Sequence, residues 1–221
     1  MDCQKTIDSL IAWIKSETPA HAKVLIPISG GSDSALCFWL YNQALPGRVK
    51  GVYIGTNLRA KEWFEQQGKV QYSNFQVTHN NPEVERWAHF LTLSLQEDRI
   101  LVGSRNRTED TLGTFSHASK VSSCLPLAHL WKSQVMELCV FIGIPPIVIN
   151  SSKRADPACG RPQRMADIPF EVVDAFLQIK GNLSAASRLL LATPQQMQYL
   201  ETIYDHNAYK KALPLKGLAS S

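Results

Sequence analysis

Residues 24–35 read VLIPISGGSDSA: a short apolar run, two adjacent glycines and a polar turn. The apolar run has the length of a buried parallel strand, and residues 35–42 after it suit a buried helix. Adjacent glycines adopt backbone conformations that are closed to other residues, so their N–H groups can converge on an anion. A strand, a glycine turn and a helix N-terminus in this order predict a phosphate-binding loop.

The side chains of this loop suggest what it holds. Serine hydroxyls add hydrogen-bond donors beside the backbone N–H groups, while Asp33 would repel a bare phosphate. A carboxylate in such a loop makes sense if a divalent cation lies between it and the phosphates. We therefore expect five loop residues to contact phosphate: Ser29, Gly30, Gly31, Ser32 and Ser34.

Strand-like and helix-like segments alternate along the rest of the chain. This order predicts an α/β fold with a Rossmann-like parallel sheet and helices on both faces. We expect one domain over residues 1–180, with a helical C-terminal extension of that domain over residues 181–221. Further strands are predicted at 49–54, 70–77 and 100–103, with a short strand or an extended exit at 147–149. Helices are predicted at 82–96, 130–142, 170–179 and 193–211, and a long loop at 150–167.

Composition narrows the functional classes. The 221 residues are 44% apolar and 19% charged, as in an ordinary globular protein, and no apolar run is long enough for a membrane span. The net charge of +4 fits a phosphate-bearing ligand without demanding nucleic acid. Five cysteines without a C-x-x-C pair indicate reduced thiols. We expect a cytoplasmic chain that binds neither membrane nor nucleic acid.

The loop is neither a Walker A motif nor the G-x-G-x-x-G dinucleotide motif. The string S-G-G-x-D-S between a strand and a helix resembles the pyrophosphate loop (PP-loop) of the N-type ATP pyrophosphatases. That superfamily has the adenine nucleotide alpha hydrolase-like fold. Its members cleave ATP between the α and β phosphates and adenylate an acid or carbonyl oxygen.

A second loop places the resemblance within this superfamily. Residues 101–110 read LVGSRNRTED and are similar to the stretch L-V-x-G-T-x-N-x-[ST]-E of NAD synthetases. This resemblance implies that Glu109 holds a catalytic Mg²⁺ together with Asp33, and that Ser104 lies against ATP. Two carboxylates from adjacent strand ends suit such a clamp on a triphosphate.

Further segments continue the resemblance. Residues 125–135, LPLAHLWKSQV, are similar to P-L-x-x-L-x-K-x-x-V, which implies that Lys132 contacts ATP phosphates and acts with Asp33 in catalysis. Arg86 matches the last arginine of R-x-R-M, a further ATP contact. Residues 207–214 look like the family's C-terminal H-K-R-x-P segment and add Lys210 as a candidate substrate contact.

The chain departs from the family at several positions. Val84, His117 and Ser123 stand where NAD synthetases have polar contacts to deamido-NAD. Residues 160–163, GRPQ, replace the Q-x-D-E run of the catalytic loop, and Arg154 replaces its ATP-contacting threonine. A cationic rim surrounds the two loops: Arg105, Arg107, Lys120, Lys153, Arg154, Arg161 and Arg164. Among these residues and departures, His117 and Lys153 are candidate substrate contacts.

The resemblance implies an ATP-dependent, adenylate-forming amide ligase that uses ATP and Mg²⁺. Its substrates would be a small-molecule acid and ammonia, with the ammonia either free or supplied by a separate amidotransferase partner. The family also leads us to expect a homodimer. Two alternatives stay open: the same chemistry on a different small acid, or an ATP- or AMP-binding protein that has lost ligation.

Overall fold

The computed structural model describes residues 1–78, 81–154, 162–181 and 192–211. Four strands within these ranges form one parallel sheet in the order β3-β2-β1-β4. Leu25 of the inner strand β1 lies opposite Lys50 on one side and Leu101 on the other. The strands are β1 (Lys23–Ile28), β2 (Val49–Ile54), β3 (Lys69–Ser73) and β4 (Arg99–Leu101).

Helices fill most of the segments between and after the strands. A 3₁₀ turn at His117–Val121 lies between α5 and α6. The helices are α1 (Cys3–Glu17), α2 (Ser32–Ala44), α3 (Lys61–Gln67), α4 (Pro82–Gln96), α5 (Arg107–Leu112), α6 (Lys132–Phe141), α7 (Pro146–Ser151), α8 (Gln163–Ala166), α9 (Phe170–Gly181), α10 (Pro194–His206) and α11 (Ala208–Lys211).

Both faces of the sheet are covered. Successive side chains of a strand point to opposite faces, and in β1 both sets are apolar. Val24 and Ile26 pack into the main core with residues of α1, α2 and α6. Leu25 faces the other way and packs with Phe90 of α4. The predicted fold class is therefore confirmed.

A second, smaller core lies beside the sheet. It joins Leu112 of α5 to buried apolar residues of α8, α9 and α10, among them Met165, Phe176 and Leu200. This core ties the C-terminal helices to the segment that follows β4. The helical character expected for 181–221 is seen at 194–211, whereas 182–191 and 212–221 lie outside the described residues.

The structure corrects the prediction at residues 147–149 and in the last helix. Residues 147–149, predicted as a short strand or extended exit, lie in α7, which Pro146 begins. An apolar run this short does not distinguish strand from helix by its period. The last predicted helix is broken at Asn207, whose buried side chain donates to the carbonyl of Leu112 (3.3 Å).

The long loop predicted at 150–167 is partly helical. α7 extends into its start and α8 occupies residues 163–166, while residues 155–161 lie outside the described ranges. Across the ranges that the structure covers, no helix is both long and apolar enough to cross a membrane.

The close contact of β2 with β1 and α2 depends on Gly51. A Cβ at this position would stand 2.8 Å from Cε2 of Phe38 and closer still to Cδ1 of Ile28. We expect Gly51→Ala to lower the free energy of unfolding by about 1–3 kcal/mol, because the core must open to admit the methyl group. Urea denaturation measures this, and a loss below about 0.5 kcal/mol, the scale of an ordinary surface change, would contradict it.

Candidate active site

A cleft opens at the carboxyl ends of β1 and β4, where ligands bind in sheets of this type. It encloses a cavity of about 340 Å³. The phosphate loop forms one wall and the loop after β4 forms another, so the two loops paired by the sequence do meet. Seven of the predicted site residues line the cavity: Ser29, Gly31, Asp33, Ser104, Glu109, Lys132 and Arg154.

The phosphate loop is held by its own serines. Gly30 has φ +77°, a left-handed conformation that favours glycine. Ser34 accepts a hydrogen bond from the N–H of Ser29 (3.2 Å) and donates to the carbonyl of Gly31 (3.0 Å). The Ser29 hydroxyl accepts from the N–H of Gly31 (3.2 Å). These two hydroxyls therefore brace the turn, and Ser34 is buried beneath it.

Ser32 connects this loop to the end of α7. Its N–H donates to the hydroxyl of Ser152 (3.3 Å), and the two hydroxyl oxygens lie 2.7 Å apart. Its own hydroxyl also accepts from Nζ of Lys132 (2.7 Å). Ser152 lines the cavity. Sequence reasoning missed it because 120 residues separate it from its partner.

Lys132 and Asp33 form an ion pair at the base of the cleft. Their side chains are 7% and 18% exposed, so water screens the pair only weakly. Asn106 donates to the other oxygen of Asp33 (2.8 Å). Both oxygens of Asp33 thus have partners that fix the carboxylate.

Asn106 also organises Glu109. Its side chain accepts from the N–H of Glu109 (3.0 Å), while the Glu109 carboxylate accepts from the N–H of Asn106 (3.2 Å). This reciprocal cap begins α5 and carries Glu109 to the cleft. Asn106 is fully buried. It was not singled out as a site residue, although an Asn three positions before a Glu is itself a capping signal.

The carboxylates of Asp33 and Glu109 repel each other in the cleft. Burial and the neighbouring charge of Asp33 raise the pKa of Glu109 to about 7, against a smaller lowering by Lys132. A cation bound between the two carboxylates would offset their repulsion and favour the ionised form of Glu109. The described residues contain no cluster of three or more metal-binding side chains. Two carboxylates nevertheless fit Mg²⁺, which keeps water and binds substrate phosphates besides one or two carboxylates.

The other predicted ATP contacts differ in whether they line the cavity. Ser104 and Arg154 line the cavity. Arg86 pairs with Glu83 (2.5 Å), which lines the cavity together with Trp87, whereas Arg86 itself is not among the lining residues. The site roles assigned to these residues stay predictions.

The predicted substrate contacts lie near the cavity or on the surface. Nε2 of His117 is 3.4 Å from the hydroxyl of Tyr209, and Nζ of Lys210 donates to the carbonyl of Phe115 (3.4 Å). Lys153 is exposed. None of these three predicted residues lines the cavity, but Phe115 does.

Phe115 is the centre of a cationic cluster that the sequence indicated only as a rim. The Arg105 guanidinium carbon lies 4.2 Å from the centre of this ring, with Nζ of Lys120 at 5.5 Å and Nζ of Lys210 at 6.0 Å. Nε of Arg105 is 3.1 Å from the Asp110 carboxylate. Among the described residues, the buried Nη1 of Arg105 has no hydrogen-bond partner. Arg107 lies instead over Trp131 (4.4 Å).

A parallel sheet whose inner strand runs into a glycine turn, with a lysine and carboxylates at its end, defines a nucleotide-binding protein of the PP-loop class. The chain belongs to the NAD synthase family. The model of that family matches residues 57–214, more than half of the chain.

The names of curated relatives agree with this assignment. The NH3-dependent NAD+ synthetase of Wolinella succinogenes is 21% identical over 94% of this chain and 93% of its own length. The enzyme of that name from Helicobacter pylori strain G27 is 26% identical over 96% and 95%. For strain J99 the match is 27% identical but spans only 58% of this chain and 53% of the relative.

Two solved structures share the fold at 18% identity. NMN synthetase from Francisella tularensis superposes with a TM-score of 0.77, over 99% of this chain and 100% of its own. NH3-dependent NAD synthetase from Campylobacter jejuni superposes with a TM-score of 0.73 over the same shares.

Gly30 and Gly31 serve the loop in different ways, and alanine variants separate them. Gly30→Ala puts a side chain in the left-handed region and should cost about 1–2 kcal/mol of stability. Gly31 has an ordinary φ of −99°, and its Cβ would lie 3.4 Å from Oγ of Ser29. We expect Gly31→Ala to keep its stability but to bind ATP less tightly, because the methyl group obstructs the cavity wall.

Thermal melts and calorimetric titration with Mg-ATP distinguish the two effects. Each variant serves as the control for the other. Wild-type ATP affinity in both would show that the loop is only a structural turn.

Proposed function

We propose that this chain is an ATP-dependent, adenylate-forming amide ligase that resembles the NH3-dependent NAD synthetases. One observation carries the proposal: a buried Lys132–Asp33 pair, linked through Asn106 to Glu109, at the end of a phosphate loop. The names of relatives matched over nearly the whole chain support it. A protein that only bound AMP would have no need for two carboxylates in one cleft.

The reaction would take place in two steps. The carboxylate of the acid attacks the α-phosphorus of ATP, which forms an acyl adenylate and releases pyrophosphate. Ammonia then attacks the acyl carbon, loses a proton and displaces AMP, leaving the amide. Both steps need reactants held in line and negative charge neutralised.

The chain's own residues would meet these needs. The phosphate loop and the start of α2, where the helix dipole favours an anion, would bind the phosphates. Lys132 lies within reach of Ser32 and Asp33 and would neutralise phosphate charge there. Asp33 and Glu109 would hold Mg²⁺, which when bound supplies charge neutralisation on the phosphate oxygens. Binding of the cation would also keep Glu109 ionised, since its pKa is raised to about 7 without one.

Ammonia would be the nitrogen donor, either free or delivered by a separate amidotransferase. We also propose that the protein works as a homodimer in the cytoplasm. The resemblance to the family is what supports these statements.

Removal of the Asp33 charge tests the metal clamp. We expect Asp33→Asn to abolish pyrophosphate release and weaken binding of Mg-ATP. The variant should also be less stable, because the buried ammonium of Lys132 loses its counter-charge, so its turnover is measured well below its melting temperature. A coupled assay for pyrophosphate with ATP, Mg²⁺, ammonia and a panel of acids measures it. Asp205→Asn, which neutralises an exposed carboxylate on α10, is the matched control. Full turnover in Asp33→Asn would remove the magnesium hypothesis.

The acid is the open part of the function. Val84, His117 and Ser123 replace polar positions that contact deamido-NAD in the family. The cationic cluster around Phe115 offers a place for an anionic group instead. The superposition on an NMN synthetase supports a second candidate substrate, an acid the size of a mononucleotide.

We expect deamido-NAD to be a poor substrate although Mg-ATP binds normally. The loss of three contacts worth about 1–1.5 kcal/mol each lowers affinity by on the order of a hundredfold or more. Steady-state kinetics with deamido-NAD and with nicotinate mononucleotide measure the difference. Turnover of deamido-NAD at about 10⁴ M⁻¹s⁻¹ or better would overturn this prediction and support a plain NAD synthetase. No pyrophosphate with any acid would leave only the nucleotide-binding alternative.

A further inference from the structure

A buried carboxylate outside the cleft connects the C-terminal helices to the active site. Asp174 of α9 is 2% exposed, and it was not among the residues singled out from the sequence. It accepts hydrogen bonds from the hydroxyl of Thr108 and from the N–H of Ser133 (2.8 Å). Thr108 comes directly before Glu109, and Ser133 directly after Lys132. Asp174 thus contacts the neighbour of each charged site residue.

The contacts form a continuous chain. The Thr108 hydroxyl donates to Asp174 and accepts from the N–H of Lys132 (2.8 Å). Two N–H groups in the first turn of α6 therefore obtain acceptors from other helices, as every helix start requires. The start of α6, which carries Lys132, is fixed relative to the start of α5, which carries Glu109.

α9 also approaches the lysine itself. The ring of Phe170, one helical turn before Asp174, lies 5.5 Å from Nζ of Lys132. α9 is therefore close to both ends of Lys132. Asp174 accepts from the N–H of the next residue, Ser133, and the ring of Phe170 lies near the ammonium. Burial raises the pKa of Asp174, and hydrogen bonds from Ser133 and Thr108 oppose that shift.

We propose that Asp174 is a positioning residue, which sets Lys132 against Asp33 and Glu109 by holding Thr108 and the start of α6. It acts through these residues and touches no reactant. This inference rests on the proposed function, because its effect is read as turnover. It gives one polar residue of the C-terminal helices a role in placing the charged site residues, while the apolar residues around it only pack.

Four variants test it by pyrophosphate release, well below their melting temperatures. Asp174→Asn keeps one acceptor oxygen but cannot accept from both donors at once. Thr108→Val keeps the shape of Thr108 and removes its hydroxyl, whereas Thr108→Ser restores the hydroxyl. Val172→Ala, a buried residue of α9 outside the hydrogen-bond chain, is the control for loss of packing.

We expect kcat to fall at least tenfold in Asp174→Asn and in Thr108→Val, since small misplacements of catalytic groups cost about that much or more. The KM for ATP should rise as well, because Lys132 is predicted to contact the phosphates of ATP. Thr108→Ser and Val172→Ala should stay within about twofold of wild type, although Val172→Ala melts earlier. The double variant Asp174→Asn/Thr108→Val should lose no more than either single variant, because one chain of contacts is broken only once.

The opposite results are equally clear. If folded Asp174→Asn and Thr108→Val keep kcat within twofold, or if their losses multiply in the double variant, Asp174 is structural only. Wild-type protein that releases no pyrophosphate with any acid would sink the proposed function instead. In that case calorimetry with Mg-ATP decides the inference: unchanged affinity in Asp174→Asn would overturn it, and at least tenfold weaker binding would support it.

Discussion

The buried ion pair between Lys132 and Asp33 is the interaction on which the rest of the site depends. Removal of one partner from a buried pair costs about 3–5 kcal/mol, because the other charge is left without compensation. Such a pair is tolerable only when further hydrogen bonds complete it, and Asn106 and Ser32 supply them here. The architecture of both loops follows from that requirement. Each loop supplies one side chain that completes the pair as well as a residue predicted to contact ATP or metal.

The parallel sheet brings the two loops of the site together. Parallel strands end at the same edge of a sheet, so loops that follow β1 and β4 come together although more than 70 residues separate Asp33 from Asn106. The apolar residues of β1 pack into a core on each face of the sheet, which anchors the sheet beneath the cleft. α6 then reaches the same point from the side, with Lys132 as its first residue. Three chain segments thus share a site that none of them forms alone.

Local pattern was sufficient for most of the fold and for the outline of the site. β1, the glycine turn and α2 are adjacent in sequence, so their hydrophobic pattern and turn residues predict all three elements without long-range information. α7 was misread because three consecutive apolar residues carry no period. The resemblance supplied Glu109 and Lys132, which local reasoning alone would have left as an ordinary helix-start glutamate and an ordinary lysine.

The residues that escaped prediction share one property. Ser152 binds a residue 120 positions away in the chain, and Asp174 binds residues 41 and 66 positions away. The sequence around a polar residue on a helix does not indicate such a distant partner. The cationic cluster shows the same limit. Its cations were visible in the sequence, but the ring that gathers them, Phe115, became evident only when β4, the 3₁₀ turn and α11 were seen together.

The apolar interior has a core on each face of the sheet and a separate core around the C-terminal helices, which has a consequence for how the protein unfolds on heating. Proteins open locally in cooperative units that differ in stability. The main core packs the sheet against α2, whereas the smaller C-terminal core supports α5, α9 and α10. Partial opening of the smaller unit would release the start of α6 while the sheet stayed intact. Inactivation would then precede loss of most of the secondary structure, and the two thermal transitions would be separable.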